Sequence, residues 1–116
     1  MGALAKTLPS GVGLIELSGP LLSEQELEGL RATARGFVDA GVQKLVIDLS
    51  GVTYLNSSAM AVLVSVHTTY SKRHWQLKLC GIKKNVHVVF AITNLDKVFT
   101  IEDTRVRAVE ILKQQH

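Results

Sequence analysis

Apolar and polar positions along the chain follow two periods, one near two residues and one near three and a half. Residues 12–18, Val-Gly-Leu-Ile-Glu-Leu-Ser, read as a strand that Gly19-Pro20 is expected to end. An edge strand over residues 3–8 fits ahead of it, with Pro9-Ser10-Gly11 as the turn. Ser23-Glu24-Gln25-Glu26 matches a capping box, and Leu27, Leu30, Ala34, Phe37 and Val38 then recur on one helical face. That spacing predicts a helix over 24–40, closed by Gly41 in the left-handed position. Residues 44–49 are a near-continuous apolar run, as expected of a strand buried on both faces, and Ser50-Gly51 is expected to turn the chain.

Asn56-Ser57-Ser58 places three N-cap residue types in a row, and a long helix is expected over about 58–72. Its opening, Ala59 to Val64, is apolar on all sides, which fits a helix buried all round or one with an apolar face for a partner. Trp75 to Gly81 reads as a strand, 84–92 as a short helix with Val86, Val89 and Phe90, and Thr93-Asn94 as its break. Val98 to Ile101 reads as a short strand. Asp103 is expected to cap a last helix with Ala108, Val109 and Leu112 as its stripe. The alternation predicts an α/β fold: a mostly parallel sheet of four to five strands with about four helices in one domain over residues 1–116. Function in such sheets gathers at the carboxyl ends of the strands, and the loop expected from Ser50 to Ser58 is one of those ends.

Composition narrows the classes. The 116 residues fit one domain with its own core, at 47% hydrophobic and 20% charged residues. A net charge of +3 from scattered Lys and Arg, with 5% aromatics, lacks the basic stripe and stacking rings of a nucleic-acid binder. The single cysteine, Cys80, sits in an apolar run and excludes an internal disulfide. No run approaches the ~18 apolar residues of a membrane span, and Met1 to Leu8 lacks a signal-peptide core. A cytoplasmic protein without membrane insertion is the expectation.

Candidate chemistry is sparse. Ser57 or Ser58 could simply cap the helix, or could carry a phosphate, which a helix amino end tolerates because its free N–H groups and dipole favour negative charge. A Ser-His hydrolase is disfavoured. His67 lies ten residues along the same helix from Ser57, about 15 Å away, and His87 comes without a Gly-x-Ser-x-Gly elbow. His67, His74, His87 and His116 show no ligand spacing, so no metal is expected. Asp48 reads as a turn-capping residue, and neither a P-loop nor a Gly-x-Gly-x-x-Gly occurs, so no cofactor is implied.

The stretch Val46-Ile47-Asp48-Leu49-Ser50-Gly51-Val52-Thr53-Tyr54-Leu55-Asn56-Ser57-Ser58-Ala59-Met60-Ala61-Val62-Leu63 resembles the core of STAS domains, the sulphate-transporter and anti-sigma-factor-antagonist family. The family signature is a strand ending Asp-Leu-Ser, a short hydrophobic loop, then Asp-Ser-Ser-Gly-Leu-Gly opening a helix. Leu17-Ser18-Gly19-Pro20-Leu21 and Leu95-Asp96-Lys97-Val98-Phe99 resemble flanking segments, so the likeness covers nearly the whole chain. It implies a bacterial anti-sigma factor antagonist that regulates transcription and catalyses nothing. The implied partner is an anti-sigma factor that is also a serine protein kinase. The implied phosphorylation site is Ser57, with Ser58 second, and the implied contact residues are Asn56, Ser57, Ser58, Ala59 and Met60. Asn56 stands where the motif has Asp, and Ala59 and Ala61 where it has Gly. A STAS scaffold subunit without a phospho-switch is the alternative, and a homodimer through the apolar helix stays open.

Overall fold

A computed structural model describes residues 2–21 and 23–114. His116, weighed above as a ligand, lies outside the described residues. The elements run β1 (Gly2–Thr7), β2 (Gly13–Leu21), α1 (Glu24–Asp39), β3 (Lys44–Leu55), α2 (Ser57–Lys72), β4 (Gln76–Cys80), α3 (Lys84–Ile92), a 3-10 turn (Leu95–Lys97), β5 (Thr100–Glu102) and α4 (Arg105–Gln114). The five strands lie in the order β1-β2-β3-β4-β5, with β1 antiparallel to β2 and every other pair parallel. This is the α/β architecture expected from the alternation of periods.

Strand alternation sorts the core into two layers. Ile15, Leu17, Leu45, Ile47, Leu49, Leu77 and Leu79 pack under α1, α2 and α3. On the opposite face Val12, Leu14, Val46 and Cys80 meet Ala108 and Leu112 of α4. Leu45 to Leu49 are therefore all buried, which explains the unbroken apolar run. The α1 capping box forms in both directions between Ser23 and Glu26. Gly41 takes a φ of +74°, the left-handed conformation that its lack of a Cβ favours.

Two expected strand ends are wrong, and they matter for the site. β2 continues through Gly19-Pro20 and β3 through Ser50-Gly51, with Ser18 opposite Gly51, Gly19 opposite Val52, Pro20 opposite Tyr54 and Leu21 opposite Leu55. Register shifts between Glu16 and Ser18 and between Gly19 and Pro20 absorb the proline, which lacks an N–H for the ladder. Gly51 serves close approach instead of a turn: a Cβ there would lie 2.9 Å from the Ser18 Cβ. There is thus no Ser50–Ser58 loop; the strand delivers the chain directly to Asn56.

Smaller differences have local causes. β5 is Thr100–Glu102, not 98–101, because Phe99 is drawn into the core against Phe90 and His67. Thr104 caps α4 in place of Asp103, its Oγ1 accepting the Arg107 N–H at 3.2 Å. Asp48 lies inside β3 with its Oδ1 accepting the Ser50 N–H at 2.9 Å. Arg105 ties α4 to the sheet by pairing with Glu16 and by lying 3.7 Å from the Asp48 carboxylate. At the other end of α4, the Lys44 ammonium donates to the Leu112 carbonyl at 2.6 Å.

Cys80 is fully buried. Burial first, and then the Asp48 charge, push its thiol up to about 12, with Arg105 pulling the other way. Since the thiolate is the reactive form, Cys80 is predicted to resist thiol reagents in the folded protein at mildly alkaline pH and to react fully in denaturant. Rapid stoichiometric labelling without denaturant would contradict this packing.

Candidate functional site

The site grows from the end of β3. Leu55 turns into the core, and Asn56 follows with extended backbone, φ −93° and ψ 177°. The Asn56 side-chain oxygen accepts the Ala59 N–H at 2.8 Å, and its carbonyl accepts the Met60 N–H at 3.1 Å. Of the three cap candidates, Asn56 is therefore the cap. Ser57 and Ser58 become the first two helical residues, both exposed. Their own amides have no acceptor inside the helix at these positions, and the first turn carries no acidic side chain.

The apolar opening of α2 is not uniform. Ala59, Met60, Val62, Leu63, Val66 and Tyr70 are buried, whereas Ala61, Ser65 and Thr68 join Ser57 and Ser58 on the exposed side. The expectation that Ala59 and Met60 face a partner is corrected by burial: Met60 is 5% exposed and Ala59 not at all, and both belong to the core. The outward small residue is Ala61, four positions after Ser57 and so on the same face. That spacing was legible in the sequence. Tyr54, two residues before the cap, is 54% exposed at the end of β3, where a loop is expected from the sequence.

The remaining candidates do not converge on Ser57. His67 lies on α2 with its ring edge-on to Phe99 at 5.1 Å. His87 lines a small cavity with Asp96, Glu102 and Asp103. His74 sits beyond α2 with a φ of 59°. Among the described residues no group of three or more His, Cys, Asp or Glu could hold a metal ion. Among them, too, no helix is long and apolar enough to cross a membrane.

Comparisons with known proteins agree with this fold. Residues 3–108 match the family model for the STAS domain. BtrV of Bordetella bronchiseptica, named as an anti-sigma factor antagonist, is 27% identical over 93 residues, 80% of this chain and 80% of that protein. An anti-sigma factor antagonist from Mycobacterium paratuberculosis has the same fold, with a TM-score of 0.85 at 22% identity, covering 97% of this chain and 94% of the other. The Bacillus cell fate determinant SpoIIAA in its phosphorylated form superposes with a TM-score of 0.76 at 14% identity, covering 96% and 99%.

The cap assignment is open to a direct check. Asn56→Ala should destabilise the fold by about 1 kcal/mol in urea titration, while Ser57→Ala should stay within about 0.5 kcal/mol of the parent. The reverse order would return the capping role to Ser57.

Proposed function

The chain belongs to the STAS domain family, and on that footing we propose that it is an anti-sigma factor antagonist whose docking to an anti-sigma factor kinase is broken by phosphate on Ser57. The observation that carries this reading is the division of labour at the start of α2. Asn56 makes the cap bond, so the exposed Ser57 hydroxyl has no capping duty and its modification leaves the helix intact. Asn56, Ser57, Ser58 and the outward Ala61 form the contact surface, and the small side chains let a partner approach closely. The protein acts by binding, in the cytoplasm, and catalyses nothing itself.

Magnitudes favour eviction of the partner over disturbance of the fold. A phosphate adds about −1.5 to −2 charges at neutral pH. The helix dipole stabilises it by only about 0.3–1 kcal/mol. Enclosing it unpaired against an apolar partner costs several kcal/mol. The second term is the larger, so the phosphorylated chain stays folded and loses its partner.

Asn56 favours a second reading. It supplies a cap but no charge where the motif has Asp, which suits a scaffold subunit that binds constitutively. One experiment separates the two. The chain is incubated with the serine-kinase anti-sigma factor of its source cell and ATP, phosphate is mapped by mass spectrometry, and binding is measured. The switch predicts phosphate on Ser57 and a roughly hundredfold weaker complex for Ser57→Asp, about 3 kcal/mol, with Ser57→Ala binding like the parent. Unmodified Ser57 with undiminished Ser57→Asp binding identifies the scaffold.

A further inference from the structure

We infer that α3 is the second half of the docking surface that begins at Ser57, and that the partner meets it with acidic side chains around an apolar centre. This rests on the reading of α2 above and adds the partner's chemistry to it.

Three observations carry it. First, α3 is anchored beside the site: the Asn85 side-chain amide donates to the Thr53 carbonyl at 3.1 Å, next to exposed Tyr54 and just ahead of the Asn56 cap. Second, α3 is apolar on two sides. Val86 and Phe90 fill its core-facing side. Val88 and Ile92 remain 53% and 75% exposed, although the core has no use for them. They lie three and seven residues after Asn85, on the stripe that starts at the Thr53 contact. Tyr54 beside the Thr53 contact, Val88 one turn along α3 and Ile92 two turns along it are thus large apolar side chains left in solvent, as at interaction sites.

Third, the charge is one-sided. From Leu49 to Leu95 the sequence contains no Asp or Glu, while Lys72, Arg73, Lys78, Lys83 and Lys84 fall inside that span. Lys78 is buried and paired with Glu102, and Lys72 and Arg73 lie at the far end of α2. Lys83 and Lys84 are exposed at the start of α3. Asp96, Glu102 and Asp103 gather instead around His87, which lies two residues, or about 200°, around the helix from Asn85. Lys84, four residues before Val88, therefore adds a cation to the edge of this apolar stripe, whereas Lys83, four residues before His87, lies on the side of the carboxylates. Carboxylates on the partner complement the Lys84 cation, and the apolar centre suits a protein surface better than a nucleic-acid backbone. A negative charge on Ser57 would then face carboxylates of the partner, so repulsion adds to desolvation in breaking the complex.

The test is a binding titration of the full chain against the same anti-sigma factor kinase. The variants are Val88→Asp/Ile92→Asp, Lys84→Glu, and Val106→Asp on α4 as an exposed control; melting curves check that each is folded. The inference predicts at least about tenfold weaker binding for the double variant and for Lys84→Glu, with the control unchanged. It also predicts that added salt weakens the parent complex and weakens the Lys84→Glu complex less. A parent complex that the α3 variants bind equally well overturns this inference and leaves the Ser57 reading standing. A parent chain that does not bind the kinase overturns both. Salt-sensitive binding to duplex DNA, lost in Lys84→Glu but kept in the double aspartate variant, would overturn the acidic-protein assignment in favour of nucleic acid.

Discussion

One hydrogen bond organises the site: the Asn56 side chain taking the Ala59 amide. It fixes where α2 begins, and the start of α2 decides which side chains face in. With Asn56 as the cap, Ala59 and Met60 fall on the core side, and Ser57, Ser58 and Ala61 on the open side. A helix begun one residue later would turn every position by about 100° and offer a different face to solvent. The cap also relieves Ser57 of a structural task, which is a condition for a modification that spares the fold.

The cap is held in place by the sheet. β3 is buried on both faces through Leu49 and stays paired with β2 as far as Leu55. The helix start is therefore carried on a long central strand and not on a loop. Gly51 allows the strands to approach closely there, and the irregular register at Gly19-Pro20 lets β2 keep pace. On the opposite face, Arg105 and Lys44 hold the two ends of α4. The face around Ser57 is thus free of the helix that closes that second layer.

Much of this was legible in the sequence. Among the described residues, the helical stripes, the alternating strands and the unbroken apolar run of β3 located the five strands and four α-helices, because burial on one face or on both is written in the spacing. The errors cluster where one residue type has two uses. Gly51 and Pro20 read as turn residues, since Gly and Pro usually punctuate; in the fold one permits close approach and the other sits at a register shift. Asn, Ser and Ser in a row all satisfy the cap rule, so only geometry could choose Asn56. The resemblance implies Met60 as a contact, and a run with no polar marker does not say which side faces in. The cationic bias from Leu49 to Leu95 was readable as composition. Its meaning depends on α3 docking beside β3, a long-range contact that local pattern does not encode.

The central claim is that charge at position 57 alters the surface and not the fold. It is tested most directly by installing phosphoserine at Ser57 during synthesis, without any kinase, and comparing amide spectra and thermal melts with the unmodified protein. The account predicts amide shifts confined to the end of β3, the first turns of α2 and the adjoining turn of α3. It also predicts a melting temperature within about 5 °C of the parent, the scale of 1 kcal/mol in a domain of this size. Shifts spread through the core strands, or a fall in melting temperature well beyond that range, would contradict it.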